Sequence, residues 1–247
     1  IIGVGLCTRE NDVLLTSSAG RAIRFSVEDV RVFAGRDSTG VRGIRLGEGD
    51  TVISMAILNG VDATPAERAG YLKYSRALQR ASGEEGDEAA AAPEEDEEVE
   101  GGEADLSPER LIELGAAEQF ILTLSSEGIG KRSSAYDFRR TGRGGQGLLA
   151  QDLTRKGGKL VAGFPVENGD EILLVTDQGQ LIRCPVAQIR IAARNTQGVI
   201  VFRTAEQEHV VSVERLAESS GSEASADDAA EGNAGEGGPT DSPGDAT

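Results

Sequence analysis

Apolar residues in this chain come in short runs bounded by glycine-rich or charged turns. Val13-Leu14-Leu15-Thr16 is followed by Ala22-Ile23-Arg24-Phe25, then by Val41 to Leu46, then by Val52 to Ile57, with Ala19-Gly20 and Gly47-Glu48-Gly49-Asp50 between them. Runs this short predict β-strands joined by turns rather than helices. The pattern returns at Ile121–Leu124 and Leu160–Phe164, and again at Ile172–Val175 and Val210–Val213.

The recurrence has a register. Val13 to Gly20, Ile121 to Gly128 and Ile172 to Gly179 open three units of one plan; four residues past each glycine stand Arg24, Arg132 and Arg183. Seven residues further come Arg31, Arg139 and Arg190, and each unit then places an arginine four residues before a glycine: Arg36 and Gly40, Arg143 and Gly147, Arg194 and Gly198. An internal repeat fixes architecture before any single element is assigned. Four strands in about 45 to 50 residues is the size of a propeller-like blade. Three units do not close a ring, so further units are expected upstream.

Gly128 and Gly179 are 51 residues apart but Gly20 and Gly128 are 108 apart, and the excess of 57 marks an insertion. Thr64-Pro65-Ala66-Glu67 combines an N-cap, a first-turn proline and a capping-box glutamate, so a helix is expected to run from there to near Gly83. Ser107-Pro108 starts a second short helix that Gly115 should stop. Between them Glu94-Glu95-Asp96-Glu97-Glu98, with alanine and glycine neighbours, is too polar to order itself. The expected organisation is a blade with the end of a preceding unit over 1–58, the insertion over 59–115, blades over 116–169 and 170–216, and an acidic disordered tail over 217–247. The fold class is all-β.

Composition changes this picture in one respect, through charge. The net charge of −17 argues at first against a nucleic-acid partner, but residues 82–105 hold 12 acids and residues 217–247 hold 8, with no base in either. Those 20 acids exceed the whole net charge, so the remainder carries +3 and the repeats are mildly basic. Cys7 and Cys184 are too few and too scattered for a disulfide framework or a zinc site, and suit a reducing cytoplasm. No apolar run approaches membrane-spanning length. The first residue is not Met and Ile1 to Cys7 reads as an apolar strand, so the chain is expected to be part of a longer protein.

Candidate chemistry is sparse. Gly142-Arg143-Gly144-Gly145-Gln146-Gly147 fits the G-x-G-x-x-G pattern of dinucleotide sites, but no apolar strand directly precedes it, and Leu148–Leu153 aligns with strands of the sister units. His209 is the single histidine and reads as an exposed strand-edge residue. Tyr136 either stacks near a backbone phosphate or packs. No catalytic constellation is visible.

What remains is cations set periodically beside glycine turns. Lys131, Arg132, Arg139, Arg140 and Arg143 face a single acid, Asp137; the first unit offers Arg24, Arg31, Arg36, Arg42 and Arg45; Lys156, Lys159, Arg183, Arg190 and Arg194 follow. Guanidinium forks bind phosphate oxygens in pairs, and glycine lets backbone approach a phosphodiester. Symmetry would bring matched residues to one face. DNA bent over such a rim would be bound through its phosphates, with strong salt dependence and little sequence preference.

At these residues the chain resembles a known family. Arg31-Val-Phe-Ala-Gly-Arg-Asp-Ser-Thr-Gly-Val-Arg-Gly43, Tyr136-Asp-Phe-Arg-Arg-Thr-Gly-Arg-Gly-Gly-Gln-Gly147 and Gly179-Gln-Leu-Ile-Arg183 resemble the C-terminal repeats of the DNA gyrase A protein. The resemblance covers about 1–58 and 116–216. It implies a β-pinwheel whose last three blades or so lie here, and a role in wrapping double-stranded DNA for an ATP-dependent type II topoisomerase that introduces negative supercoils. It also implies ATP and Mg2+ for the parent complex but none for this portion, a gyrase B protein and a second gyrase A protein as partners in a heterotetramer, and a bacterial cytoplasmic, nucleoid-associated setting. The family's catalytic tyrosine and ATPase lie elsewhere, and its first-blade box Gln-Arg-Arg-Gly-Gly-Lys-Gly has only a degenerate counterpart in Arg143-Gly-Gly-Gln-Gly147. The related topoisomerase IV C-terminal domain and a protein-binding propeller are the alternatives.

Overall fold

The computed structural model describes residues 1–81, 104–155 and 158–218. The first unit contributes β1 (Asp12–Ser17), β2 (Arg21–Ser26) and β3 (Val52–Leu58). The insertion forms α1 (Pro65–Ala81) and α2 (Pro108–Ala116). The second unit contributes β4 (Phe120–Ser125), β5 (Ile129–Ser134), β6 (Leu148–Leu149) and β7 (Leu160–Val166). The third contributes β8 (Glu171–Thr176), β9 (Leu181–Pro185), β10 (Val199–Ile200) and β11 (Val210–Leu216).

Each unit starts with the same hairpin. Gly20, Gly128 and Gly179 sit at φ +80°, +69° and +82°, where only glycine is free of strain. Their amides bond the carbonyls of Ser17, Ser125 and Thr176 at 3.0 Å each, closing three equivalent turns. After each hairpin comes one turn of 3-10 helix, at Val27–Asp29, Ala135–Asp137 and Val186–Gln188.

The sheets are antiparallel, and the first two each borrow a strand. The orders are β3-β1-β2-β6, β10-β5-β4-β7 and β11-β8-β9, so an outer strand of the first and second sheets comes from the next unit. Ala22 pairs with Leu148 and Gly130 with Val199, at matching positions in the two sheets. The borrowed strand is only two residues long, which corrects the expectation of a strand over Val41–Leu46: no strand forms there. The equivalent residues Leu148 and Val199 become strands only by pairing with the preceding blade, and Val41 meets no such partner among the described residues. No strand forms over Ile1–Cys7 either, which lies exposed beside β3.

Blades stack face to face, so the middle blade is buried on both sides. Leu14, Leu58, Ile121 and Phe138 pack between the first and second blades; Leu122, Leu124, Ile172 and Val213 pack between the second and third. Ile121 and Leu122 point to opposite faces, as successive strand residues must. Two buried faces explain why the apolar runs are continuous rather than alternating with polar residues.

The insertion helices start where the capping signals place them. Thr64 N donates to Glu67 Oε2 at 2.8 Å and Glu67 N to Thr64 Oγ1 at 3.2 Å; Arg110 N donates to Ser107 Oγ at 3.2 Å. The helices dock on the second blade through an edge-to-face pair of Tyr71 and Tyr136, ring centroids 5.4 Å apart, and Tyr136 Oη donates to Leu114 O at 2.9 Å. Arg76 adds an ion pair to Asp137 at 2.6 Å. Tyr136 is therefore a buried packing residue. The acidic run within 82–103 and the tail from 219 onward lie outside the described residues.

Candidate nucleic-acid interface

The first matched set of arginines divides by burial. Arg24 is 5% exposed, with Nε donating to Asp12 Oδ2 at 2.7 Å and Nη1 to Ala135 O at 2.8 Å. Arg132 is buried as well, and donates to Ile189 O at 2.6 Å and to the side chain of Asn168. Both guanidiniums reach from one unit into the backbone of the next. Arg183, with no following unit above it among the described residues, is 64% exposed and paired with Glu171.

The third set divides too. Arg194 is buried, donating to Asp137 O at 3.1 Å and Leu149 O at 2.8 Å. Lys131, fully buried, directs its ammonium at Ala193 O (2.6 Å), Thr196 O (2.7 Å) and Arg194 O. Its charge is matched to carbonyl dipoles of the next unit's loop, where an unpaired ammonium would be very costly. Arg24, Lys131, Arg132 and Arg194 are thus corrected from surface candidates to clasps between blades, because their donors are turned inward to protein acceptors.

The remaining cations are on the outside. Arg31, Arg36, Arg42, Arg45, Arg139, Arg140, Arg143 and Lys159 are exposed, Arg190 is half-buried, and Lys156 lies outside the described residues. The arginines of the first two units share an edge, because the loop around Arg31–Arg45 is bonded to the turn around Arg139–Gly147. Gly144 N donates to Gly43 O at 2.6 Å and Arg45 N to Gly145 O at 2.7 Å. Arg143 ties the same seam, Nε donating to Asp29 O at 2.9 Å and Nη1 to Arg42 O at 3.2 Å. Arg31 lies over the Phe33 ring, 5.3 Å from its centroid. The edge is dense in guanidinium and poor in acid, the electrostatics that suit a polyanion.

The glycine motif of 142–147 is part of this seam. Gly144 and Gly147 have φ +83° and +72°, and a Cβ on Gly147 would fall 2.5 Å from Ala22 O. Its glycines let β6 cross onto the preceding sheet, and no helix follows to receive a phosphate. His209 is exposed, with Nδ1 3.1 Å from Glu127 Oε1. One contributor carried no signal in the repeat register. Arg21 anchors the next unit's turn through Gln146 O (3.0 Å) and Gly147 O (2.8 Å).

Stacked antiparallel sheets in which a later unit lends a strand to the one before it, with an arginine edge along the crossover loops, define a β-pinwheel of the propeller class. The chain belongs to the family described as DNA gyrase C-terminal domain, beta-propeller, whose model matches residues 11–59, 119–167 and 170–217, one segment per blade. The DNA gyrase A protein of Granulibacter bethesdensis is 47% identical over 234 residues, which are 93% of this chain and 25% of that protein. The DNA gyrase A protein of Escherichia coli K12 is 32% identical over 88% of this chain and 18% of its own length. The chain thus spans about a quarter or less of these relatives. A solved C-terminal domain of DNA topoisomerase IV superposes with a TM-score of 0.59 at 18% identity, covering 87% of this chain and 49% of that one, and shares the fold.

Proposed function

We propose that this chain binds duplex DNA along its arginine edge and bends it around the stacked blades, as the C-terminal part of a gyrase A protein. The observation that carries the reading is the bonded seam of Arg31–Arg45 with Arg139–Gly147, which gathers exposed guanidiniums from two units on one edge. Guanidinium contacts to phosphate supply affinity without reading bases, and many such contacts offset the cost of bending. In the parent assembly, with gyrase B and a second gyrase A, the wrapped segment would be presented for ATP-dependent negative supercoiling in the bacterial cytoplasm. The ATP and Mg2+ chemistry is assigned in this reading to those other parts of the assembly. A topoisomerase IV role is the second reading, favoured by the shared fold of its C-terminal domain.

The test is a salt titration of binding to mixed-sequence duplex DNA. Each phosphate neutralised contributes about −0.9 to the slope of log K against log salt. A steep negative slope, the same for unrelated sequences, is expected. A slope near zero would remove the DNA-binding surface.

A further inference from the structure

The insertion helix α1 lies across the points where the second and third crossovers begin. Its successive turns step from one unit to the next: the Tyr71 ring meets that of Tyr136 at 5.4 Å, Arg76 pairs with Asp137 at 2.6 Å, and Gln79 faces residues 187–191 of the third unit. Tyr136 and Asp137 belong to the 3-10 turn that opens the second crossover, and residues 187–191 run from the third unit's 3-10 turn into its own. Gln79 and that stretch share the wall of a cavity of about 210 Å³, together with Arg132.

Exposure along the edge changes where α1 lies. Arg31, Arg139 and Arg190 hold one register position. Arg31 and Val32 in the first unit and Arg139 and Arg140 in the second are exposed, whereas Arg190 and Ile191 in the third are half-buried. Across 189–203 Arg194 is buried as well, which leaves Arg203 as the exposed cation of that crossover. The edge is therefore basic in two units and nearly spent in the third. A helix of 17 residues is about 25 Å long and about 10–12 Å thick, enough to hold a duplex away from what it covers. Beyond α1 the sequence adds 12 acids and no base over 82–105, a charge that repels a polyanion.

We infer that α1 ends the DNA track at the junction of the second and third blades, so that duplex DNA is held by the first two units and turned away from the third. This rests on the DNA-binding reading above. Tyr71 and Arg76 are positioning residues in it: they dock α1 on Tyr136 and Asp137 and set the boundary without touching DNA. A cation contributes to the salt dependence only where a phosphate can reach it. Arg190 is therefore silent while α1 is docked, and Arg31, at the same place in its unit, is not.

The experiment compares the wild-type 247-residue chain with Arg31→Gln, Arg190→Gln, Tyr71→Ala and the combined Tyr71→Ala/Arg190→Gln variant. Binding to mixed-sequence duplex DNA is titrated with salt, and thermal midpoints and amide exchange over α1 are recorded alongside. Arg31→Gln is expected to make the slope shallower by about 0.9, and Arg190→Gln to leave it at the wild-type value. Tyr71→Ala releases α1, so the slope should steepen by about 0.9, and adding Arg190→Gln should cancel that gain. Where Tyr71→Ala does not fold, or α1 stays protected from exchange, the comparison of Arg31→Gln with Arg190→Gln decides. The inference is overturned if those two variants give the same slope. It is equally overturned if Tyr71→Ala, with α1 released, leaves the slope unchanged or makes it shallower; the latter would place the insertion in the contact surface. A wild-type slope near zero instead overturns the DNA-binding reading beneath it.

Discussion

Arg24 and Arg183 occupy the same place in their units, four residues past the turn glycine, yet Arg24 is buried on Asp12 at 2.7 Å while Arg183 stands 64% exposed on Glu171. The difference lies in what comes next along the chain. The second unit closes over Arg24, and among the described residues nothing closes over Arg183. Removing Arg24 would leave a buried carboxylate partly unpaired, so Arg24→Gln is expected to cost about 3 kcal/mol, the lower end for a broken buried pair because Arg140 still faces Asp12. Arg183→Gln should change stability by under about 1 kcal/mol, as solvent-exposed pairs do. Urea unfolding of the two variants measures the contrast, and equal losses would contradict the clasp role.

The crossover glycines should separate in the same way. Gly40 and Gly147 are equivalent in register and both have positive φ, +76° and +72°. A Cβ meets nothing within 4 Å at Gly40 but would lie 2.5 Å from Ala22 O at Gly147. Gly40→Ala carries only the backbone penalty of roughly 1 kcal/mol. Gly147→Ala must also push β6 off β2, so its loss should be clearly larger, and amide exchange should quicken at Ala22 and Leu148. Equal thermal midpoints for the two variants would refute this.

These two pairs also show where sequence reading reaches its limit. Gly20, Gly128 and Gly179 were legible because a left-handed turn admits little else, and Thr64-Pro65-Ala66-Glu67 because a capping box is a local device. The strand expected over Val41–Leu46 was not, because its counterparts Leu148 and Val199 are strands only through a partner in another unit. Inward and outward arginines were equally hidden. Lys131 is buried by carbonyls 62 to 65 residues later in the chain, and no local pattern encodes that separation.

The insertion carries its own acid-sensitive contact. The Thr64 backbone amide first, then Arg110 and the Thr64 hydroxyl, hold the Glu67 carboxyl down to about 2 from its ordinary 4.5. Because the folded value lies below the unfolded one, this contribution is complete above about pH 4.5 and is lost as pH falls toward 2. Glu67→Gln keeps a capping acceptor without the titration, so the variant's insertion should depend less on pH in that window. The three tyrosines, Tyr71, Tyr74 and Tyr136, lie in or under the insertion, which makes their fluorescence the readout. Parallel acid profiles for wild type and variant would rule out the Glu67 contribution.

The division between clasps and edge arginines makes the strongest demand on DNA binding. Arg36, Arg42 and Arg45 are exposed on one loop, so replacing all three with glutamine removes up to three phosphate contacts and little packing. The salt slope should then become shallower by up to about 2.7, at about 0.9 per contact, with the unfolding midpoint nearly unchanged. Lys131→Met is the converse. It strips the ammonium from the carbonyls of Ala193 and Thr196, and the groups left unsatisfied should cost about 1–3 kcal/mol of stability. At a temperature where the variant remains folded, its salt slope should match wild type, since a fully buried ammonium has no counterion to release to solvent. If Lys131→Met flattened the slope while the triple glutamine variant did not, the contact surface would have to be placed inside the blade junction, where the observed carbonyl bonds leave no room for a phosphate.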